Sequence, residues 1–174
     1  MNLVALLRGI NVGKTKRIDM KSLKCIFEEL GYSEVSTYIN SGNVRFDSNQ
    51  DPFLVVGNLE RILKVRTGET IRVLVKTKKQ MIEIGKSIPT EWQNDEGQKT
   101  DVAYLFHDAD KKEIVDDLPV RREYLEIIYV DGALIWNVKR KDYSKSHLNK
   151  IICHPIYQEM TVRNVNTARY LATS

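Results

Sequence analysis

Apolar residues return along this chain in two rhythms, and each rhythm predicts an element. Asn2–Arg8 (NLVALLR) is a nearly unbroken apolar run closed by Gly9, the pattern of a strand covered on both faces. Beyond it Leu23, Ile26, Phe27 and Leu30 recur at helical spacing, with Asp19 placed to cap the first turn and Gly31 to end the last. Val35, Thr37 and Ile39, then Val44 and Phe46, alternate on either side of Ser41-Gly42 and predict a hairpin. Asp51-Pro52 opens a second helix, because proline at the first helical position removes only an N–H that has no partner inside the helix. Val55, Leu59, Ile62 and Leu63 form its inward face and Gly68 its end. Thr70–Lys76 (TIRVLVK) reads as a strand, and Thr77-Lys78-Lys79-Gln80 as a capping box for a third helix through Met81, Ile84 and Ile88.

The same order then starts again. Pro89–Thr100 (PTEWQNDEGQKT) is polar apart from Trp92 and reads as a linker. Asp101–His107 is a strand, and Asp110–Leu118 a helix with Asp110 and Glu113 in capping-box spacing. Tyr124–Val130 and Ala133–Val138 flank the turn pair Asp131-Gly132. A helix is expected from about Asp142 through at least Cys153, with Pro155 disfavouring its continuation. Thr161–Arg163 reads as a short last strand and Val165–Leu171 as a closing helix. The string βαββαβα therefore occurs twice. It predicts an α+β fold built as a tandem duplication of two ferredoxin-like halves, each βαββαβ plus a helix, with mostly antiparallel sheets. The halves are residues 1–88 and 101–174, joined by the linker 89–100. In this topology strands 1 and 2 run parallel with strand 3 between them. The end of strand 1 must then lie beside the strand 2–3 turn, which brings Arg8-Gly9-Ile10-Asn11-Val12-Gly13-Lys14 next to Asn40-Ser41-Gly42-Asn43.

Composition sharpens the class without changing it. The chain has 174 residues, of which 42% are hydrophobic and 29% charged, enough length for one fold to bury roughly 70% of the surface its unfolded chain exposes. No apolar run approaches the ~20 residues of a membrane span. Cys25 and Cys153 show no Cys-x-x-Cys spacing, and the chain shows no secretory leader, which points to free thiols in a reducing cytoplasm. The formal net charge of +4 is uneven. Residues 1–88 hold 15 Lys/Arg against 9 Asp/Glu, whereas residues 89–174 hold 12 against 14. An anionic partner is therefore expected in the first half.

Candidate chemistry gathers at the same place. Gly9-Ile10-Asn11-Val12-Gly13-Lys14-Thr15 resembles a phosphate-binding GxxxxGK[ST] loop but is one residue short, and its helix is expected to start late, near Asp19. It reads instead as a Gly-rich loop for a simpler anion, or as a tight connection. Ser41 would need a nearby base to act as a nucleophile, and spacing assigns none. His147, Cys153 and His154 lack a zinc-ligand spacing and read as structural, so no metal and no cofactor is implied. An RNA-reading sheet keeps one face open and carries aromatics on it. The two-faced apolar strands here, and the absence of such an aromatic octamer, argue against that partner.

Three ordered segments, Leu6–Gly13 (LLRGINVG), Thr37–Val44 (TYINSGNV) and Thr161–Asn164 (TVRN) followed by Asn166-Thr167, resemble the bacterial domain-of-unknown-function family numbered 1697. The resemblance implies a small bacterial cytosolic protein of two ferredoxin-like halves and supplies no activity, cofactor or catalytic residue. Lys14-Thr15 departs from a second glycine and a polar or basic residue common there. The match adds Arg163, a planar fork for carboxylate or phosphate, and Asn164, with Asn164 or Asn166 expected to cap the last helix.

The leading expectation is a module that binds a small anionic ligand, a nucleotide or phosphorylated metabolite. Arg8, Lys14 and Arg17 would supply charge, Asn11, Asn40, Ser41 and Asn43 would orient it, and Arg163 and Asn164 would contribute from the C-terminal motif. Two other readings are an enzyme of transfer or hydrolytic chemistry in a cleft between the halves, with His107, Asp108 or Glu69 as acid or base, and a structural or regulatory protein-interaction module. Nothing in the sequence sets an oligomeric state.

Overall fold

Among the described residues, 1–14 and 16–173, a computed structural model places eight strands in two four-stranded sheets. The first contains β1 (Asn2–Leu7), β2 (Ser33–Tyr38), β3 (Asn43–Asp47) and β4 (Val73–Thr77) in the order β2-β3-β1-β4. The second contains β5 (Gln98–Leu105), β6 (Leu125–Val130), β7 (Ala133–Lys139) and β8 (Met160–Asn164) in the order β6-β7-β5-β8. Every neighbouring pair is antiparallel. The helices are α1 (Met20–Glu29), α2 (Pro52–Thr67), α3 (Lys78–Lys86), α4 (Tyr143–Ser146) and α5 (Val165–Thr173). The chain divides into two units, Met1–Lys79 and Gln80–Ser174, each holding one sheet. No helix among the described residues is long and apolar enough to cross a membrane.

In the first unit the expected elements form with small shifts at their ends. Asp19 caps α1, its carboxylate accepting from Ser22 N at 2.8 Å and Ser22 Oγ at 2.5 Å, and these bonds hold its pKa below the usual aspartate value. Asp51 caps α2 ahead of Pro52, and Gly68 in the left-handed region closes it. Leu3, Ala5 and Leu7 of β1, with Val44 and Phe46 of β3, pack against Leu23 and Phe27 of α1 and Leu59 and Leu63 of α2. Phe27, Tyr32 and Phe46 meet edge-on or tilted at 5.0–6.0 Å between ring centres. Val4 and Leu6, on the other face of β1, are also buried, as the continuous apolar run requires.

The second unit keeps the strand order but not the expected helices. Asp110–Leu118, expected as a helix, holds only a 3-10 turn at Lys112–Val115. The reason is local competition for Asp110. Its Oδ1 accepts from Gly132 N at 2.9 Å and from the Tyr129 hydroxyl at 3.1 Å, so it staples the β6–β7 turn instead of capping a helix. Burial and this carboxylate push the Tyr129 hydroxyl up to about 12. The segment from Asp142 is likewise broken. Only α4 is α-helical, His147 takes a left-handed φ of 60°, and 3-10 turns follow at Leu148–Cys153 and Pro155–Glu159. Leu148, Ile151 and Ile156 still reach the core beneath the sheet, which includes Leu105, Leu134 and Trp136, because a 3-10 repeat also returns a side chain to one side every third residue. Not every apolar strand is covered on both faces: Ile127–Val130 on the edge strand β6 are only half-buried, while β7 is largely covered on both faces.

The polar stretch expected as a linker is built into the second unit. Its last three residues open β5. Trp92 is buried, and Arg169 of α5 donates to Pro89 O at 3.0 Å, Trp92 O at 2.8 Å and Gln93 Oε1 at 3.0 Å. Backbone carbonyls without a strand or helix partner thus find one planar donor fork. Arg169→Ala strands those acceptors and should lower stability by about 2 kcal/mol or more in urea denaturation, and Arg169→Lys, with no fork, should recover little of it.

Candidate functional site

The loop from Arg8 to Asp19 joins β1 to α1 and lies against the β2–β3 turn, as the topology requires. Leu7 N donates to Gly42 O at 2.9 Å where β1 ends. The turn approaches so closely that a Cβ on Gly42 would sit 2.7 Å from Ile10 Cδ1 and 2.8 Å from Leu7 Cβ, and its φ is +74°. One side chain then ties the loop together. Asn11 Nδ2 lies 2.8 Å from Ile18 O, 2.9 Å from Asn40 O and 2.9 Å from Asn40 Oδ1, while Asn11 Oδ1 accepts from Ile18 N at 3.0 Å. Asn11 also adopts φ 55°, a left-handed conformation that asparagine tolerates better than most residues. Arg17 folds back to donate to Gly13 O at 2.7 Å.

Beside this loop runs an open groove of about 1100 Å³, bounded by the loop, α1 and the C-terminal end of α2. Lys14, Lys16 and Arg17 line it from the loop, Lys21 from the first turn of α1, and Arg66 from α2. The acidic groups facing it are Asp19, Glu29 and Glu69. Two of the three are engaged, Asp19 with Ser22 and Glu29 with Arg66. The ammonium groups of Lys14, Lys16 and Lys21 have no carboxylate partner among the described residues. The helix that would cradle a phosphate in a nucleotide-triphosphatase loop begins at Met20, well beyond Lys14, so that resemblance ends at the sequence. Thr15, the last residue of that motif, lies outside the described residues.

Of the nine residues singled out from the sequence, Asn11, Lys14, Arg17 and Asn40 line this groove. Arg8 is half-buried at the end of β1 and outside the lining, its N–H given to Arg72 O at 2.9 Å. Asn43 is fully buried, and its amide donates to Tyr38 O at 3.0 Å and Ser41 Oγ at 2.9 Å, so both residues shape the turn. Arg163 and Asn164 lie in the second unit. Arg163 is buried and donates to Thr161 Oγ1 and Val162 O, each at 2.9 Å, and burial lowers its guanidinium to about 10. Asn164 accepts from Thr167 N at 2.9 Å and caps α5. Lys16, Lys21 and Arg66 were missed from the sequence. Their positive charge was legible, but their convergence depends on how the loop and two helices pack.

Of the alternative acid–base groups, His107 and Asp108 are fully exposed neighbours 3.6 Å apart, and Glu69 lines the groove with its N–H donating to Thr67 Oγ1 at 3.1 Å and its carboxylate bonded to no group among the described residues. Among the described residues no group of three or more His, Cys, Asp or Glu side chains is placed to hold a metal ion.

Comparison with known proteins places the chain in a family. The model of a protein family of unknown function, DUF1697, matches residues 1–136. The chain belongs to the DUF1697 family. The match takes in the groove loop and the β2–β3 turn of this DUF1697 chain, and stops before Arg163. The conserved bacterial protein SP0830 from Streptococcus pneumoniae has the same fold, with a TM-score of 0.85 and 23% identity over 98% of this chain and 96% of that one. The acetolactate synthase small subunit from Thermotoga maritima aligns over 94% of this chain and 96% of its own at 17% identity and a TM-score of 0.23, too low to equate the folds. No curated protein matches the chain.

The loop geometry makes two measurable claims. Asn11→Asp keeps the shape but turns a donor into a carboxylate facing the Ile18 and Asn40 carbonyls, so it should cost about 1–3 kcal/mol at neutral pH in chemical denaturation. Gly42→Ala, which meets both a left-handed φ and a backbone-adjacent clash, should cost about 2 kcal/mol or more in the same measurement.

Proposed function

We propose that the first unit binds a small phosphorylated ligand in the groove beside the β1–α1 loop. The observation that carries this reading is that the five cations lining the groove, Lys14, Lys16, Arg17, Lys21 and Arg66, outnumber its three carboxylates, and that Lys14, Lys16 and Lys21 are in ion-pair contact with none of them. Cations held close together repel one another, and a phosphate is the simplest group to relieve that repulsion. Arg17 adds a planar fork at the same end, and Ser22, Thr67 and Asn40 offer hydrogen bonds along the lining. Asn11 contributes by holding the loop in place, and Asn43 and Ser41 by holding the turn. An exposed cation contributes about 0.2–1 kcal/mol, so the cluster together favours a phosphorylated ligand over its uncharged analogue by about 1–4 kcal/mol.

We also read each unit as a ferredoxin-like βαββαβ module, with the two related by duplication. The support is that the same strand order, with the first strand of each unit inside its sheet, occurs twice. In the second unit 3-10 turns and the short α4 stand where that pattern has helices. Two exposed free cysteines, Cys25 and Cys153, fit a reducing, cytoplasmic location.

Calorimetric titration with pyrophosphate, nucleoside monophosphates and sugar phosphates tests the ligand reading. Binding should weaken about tenfold or more in the triple variant Lys14→Ala, Lys16→Ala, Lys21→Ala. It should also weaken as ionic strength rises from about 0.01 M to about 0.15 M, where the screening length shortens from roughly 30 Å to roughly 8 Å. No binding by any of these compounds at low salt, or binding that the triple variant leaves unchanged, overturns the reading.

A further inference from the structure

The broken connection between β7 and β8 leaves a space over the second sheet. Where one helix was expected, α4 and two runs of 3-10 turns meet at His147 and His154, and a cavity of about 160 Å³ lies between them and the strands. The sheet lines it with Trp136 and Val162, α4 with Tyr143, and the 3-10 runs with Leu148, Ile151 and Tyr157. An apolar cavity of about 150 Å³ holds one benzene ring, so this one has room for a single ring or a branched aliphatic group. Its wall also carries charge. Asp101 stands directly opposite Trp136 in the β5–β7 ladder, and Lys99, two residues back along β5, shares that face. Both line the cavity, and the Lys99 ammonium is paired with the Asp101 carboxylate, whose side chain is only 9% exposed. Trp136 is 4% exposed, yet its indole N–H meets no acceptor among the described residues, and the Tyr143 hydroxyl has no partner among them either. An indole N–H can only donate, and a buried donor without an acceptor is costly, so this wall is one oxygen short.

We infer that this cavity binds a free α-amino acid with an apolar side chain. The side chain fills the space beneath the connection, and the zwitterionic end lies against the Lys99–Asp101 pair. There the ligand carboxylate accepts from the Lys99 ammonium and the Trp136 N–H, and the ligand ammonium donates to Asp101. Positive and negative groups then alternate, and neither member of the existing pair loses its counter-charge. Charge complementarity selects this ligand over others of the same shape. An amine of that shape reaches Asp101 only in competition with Lys99 and leaves Trp136 without an acceptor. A carboxylic acid of that shape accepts from Lys99 and Trp136 but sets a second carboxylate beside the buried Asp101. A hydrocarbon leaves the indole N–H unpaired. The cavity lies wholly in the second unit, and the inference does not rest on the phosphate reading of the first.

Calorimetric titration of the full chain with leucine, valine and methionine tests this, and saturable binding is expected with a dissociation constant below about 10 mM. Isoamylamine and isocaproate, which are leucine without its carboxylate and without its amine, should each bind at least about tenfold more weakly than leucine. Asp101→Asn should weaken leucine by a similar factor and leave isocaproate as strong or stronger, whereas Lys99→Met should weaken leucine and isocaproate and spare isoamylamine. The chain has two tryptophans, so in Trp92→Phe the fluorescence of Trp136 alone should change with leucine at the concentrations that titrate the heat. The inference is overturned by no saturable binding of any of the three amino acids at about 10 mM, or by either half-ligand binding as tightly as leucine. A leucine affinity that both charge variants leave unchanged, or binding that leaves the Trp136 fluorescence unmoved, overturns it as well. The half-ligand comparison needs no substitution, so it decides the matter even where a variant is poorly folded.

Discussion

The first unit depends on one constraint: β1 is apolar on both faces, so it can stand only where both its edges and both its faces are covered. Buried N–H and C=O groups must be paired, and β1 meets that demand with β3 on one side and β4 on the other. Placing β1 inside the sheet forces β2 to the outside of β3. The chain leaving β1 must then emerge beside the β2–β3 turn. The groove loop is therefore where it is because of five buried apolar residues, Leu3 to Leu7, none of which lines the groove. Its exit is defined by Leu7 N against Gly42 O, a contact close enough that only a residue without a side chain fits.

That exit is polar in a particular way. Asn11 spends its whole amide on backbone and on Asn40, and Asn43 spends its amide on the turn. These asparagines replace the regular ladder that an irregular loop lacks, and so they give the lysines around them a fixed base. The lysines remain on an open surface, where charge is screened by water and salt. If the groove binds phosphate as proposed, its strength would come from the number of cations brought together and not from any one contact.

The second unit reaches the same strand order with different connections. In the first unit a cap and a glycine stop give each connecting helix its ends. In the second, Asp110 is drawn away to the β6–β7 turn, and His147 breaks the later segment in a left-handed conformation. Its core closes over 3-10 turns instead, with Leu148, Ile151 and Ile156 still delivered to the sheet. Topology here is more robust than the secondary structure of the connections, because strand pairing satisfies most of the backbone while connections need only return the chain and bury a few side chains.

The strands, the first two helices and the adjacency of β1's end to the β2–β3 turn were legible in the amino-acid order, since periodicity, caps and turn residues act over a few neighbours. The candidate groove was legible in part. Asn11 and Lys14, which line it, could be named because the topology put their loop beside a turn, whereas the burial of Asn43 within that turn was not visible in the sequence. Arg169's hold on the 89–93 segment, Asp110's capture by Gly132 and the meeting of Lys16, Lys21 and Arg66 were decided by tertiary structure alone. Each involves a long side chain or a shared acceptor whose partner lies far along the chain or on another element. Local sequence sets which groups are available, and packing in three dimensions sets which of them compete, meet or remain exposed.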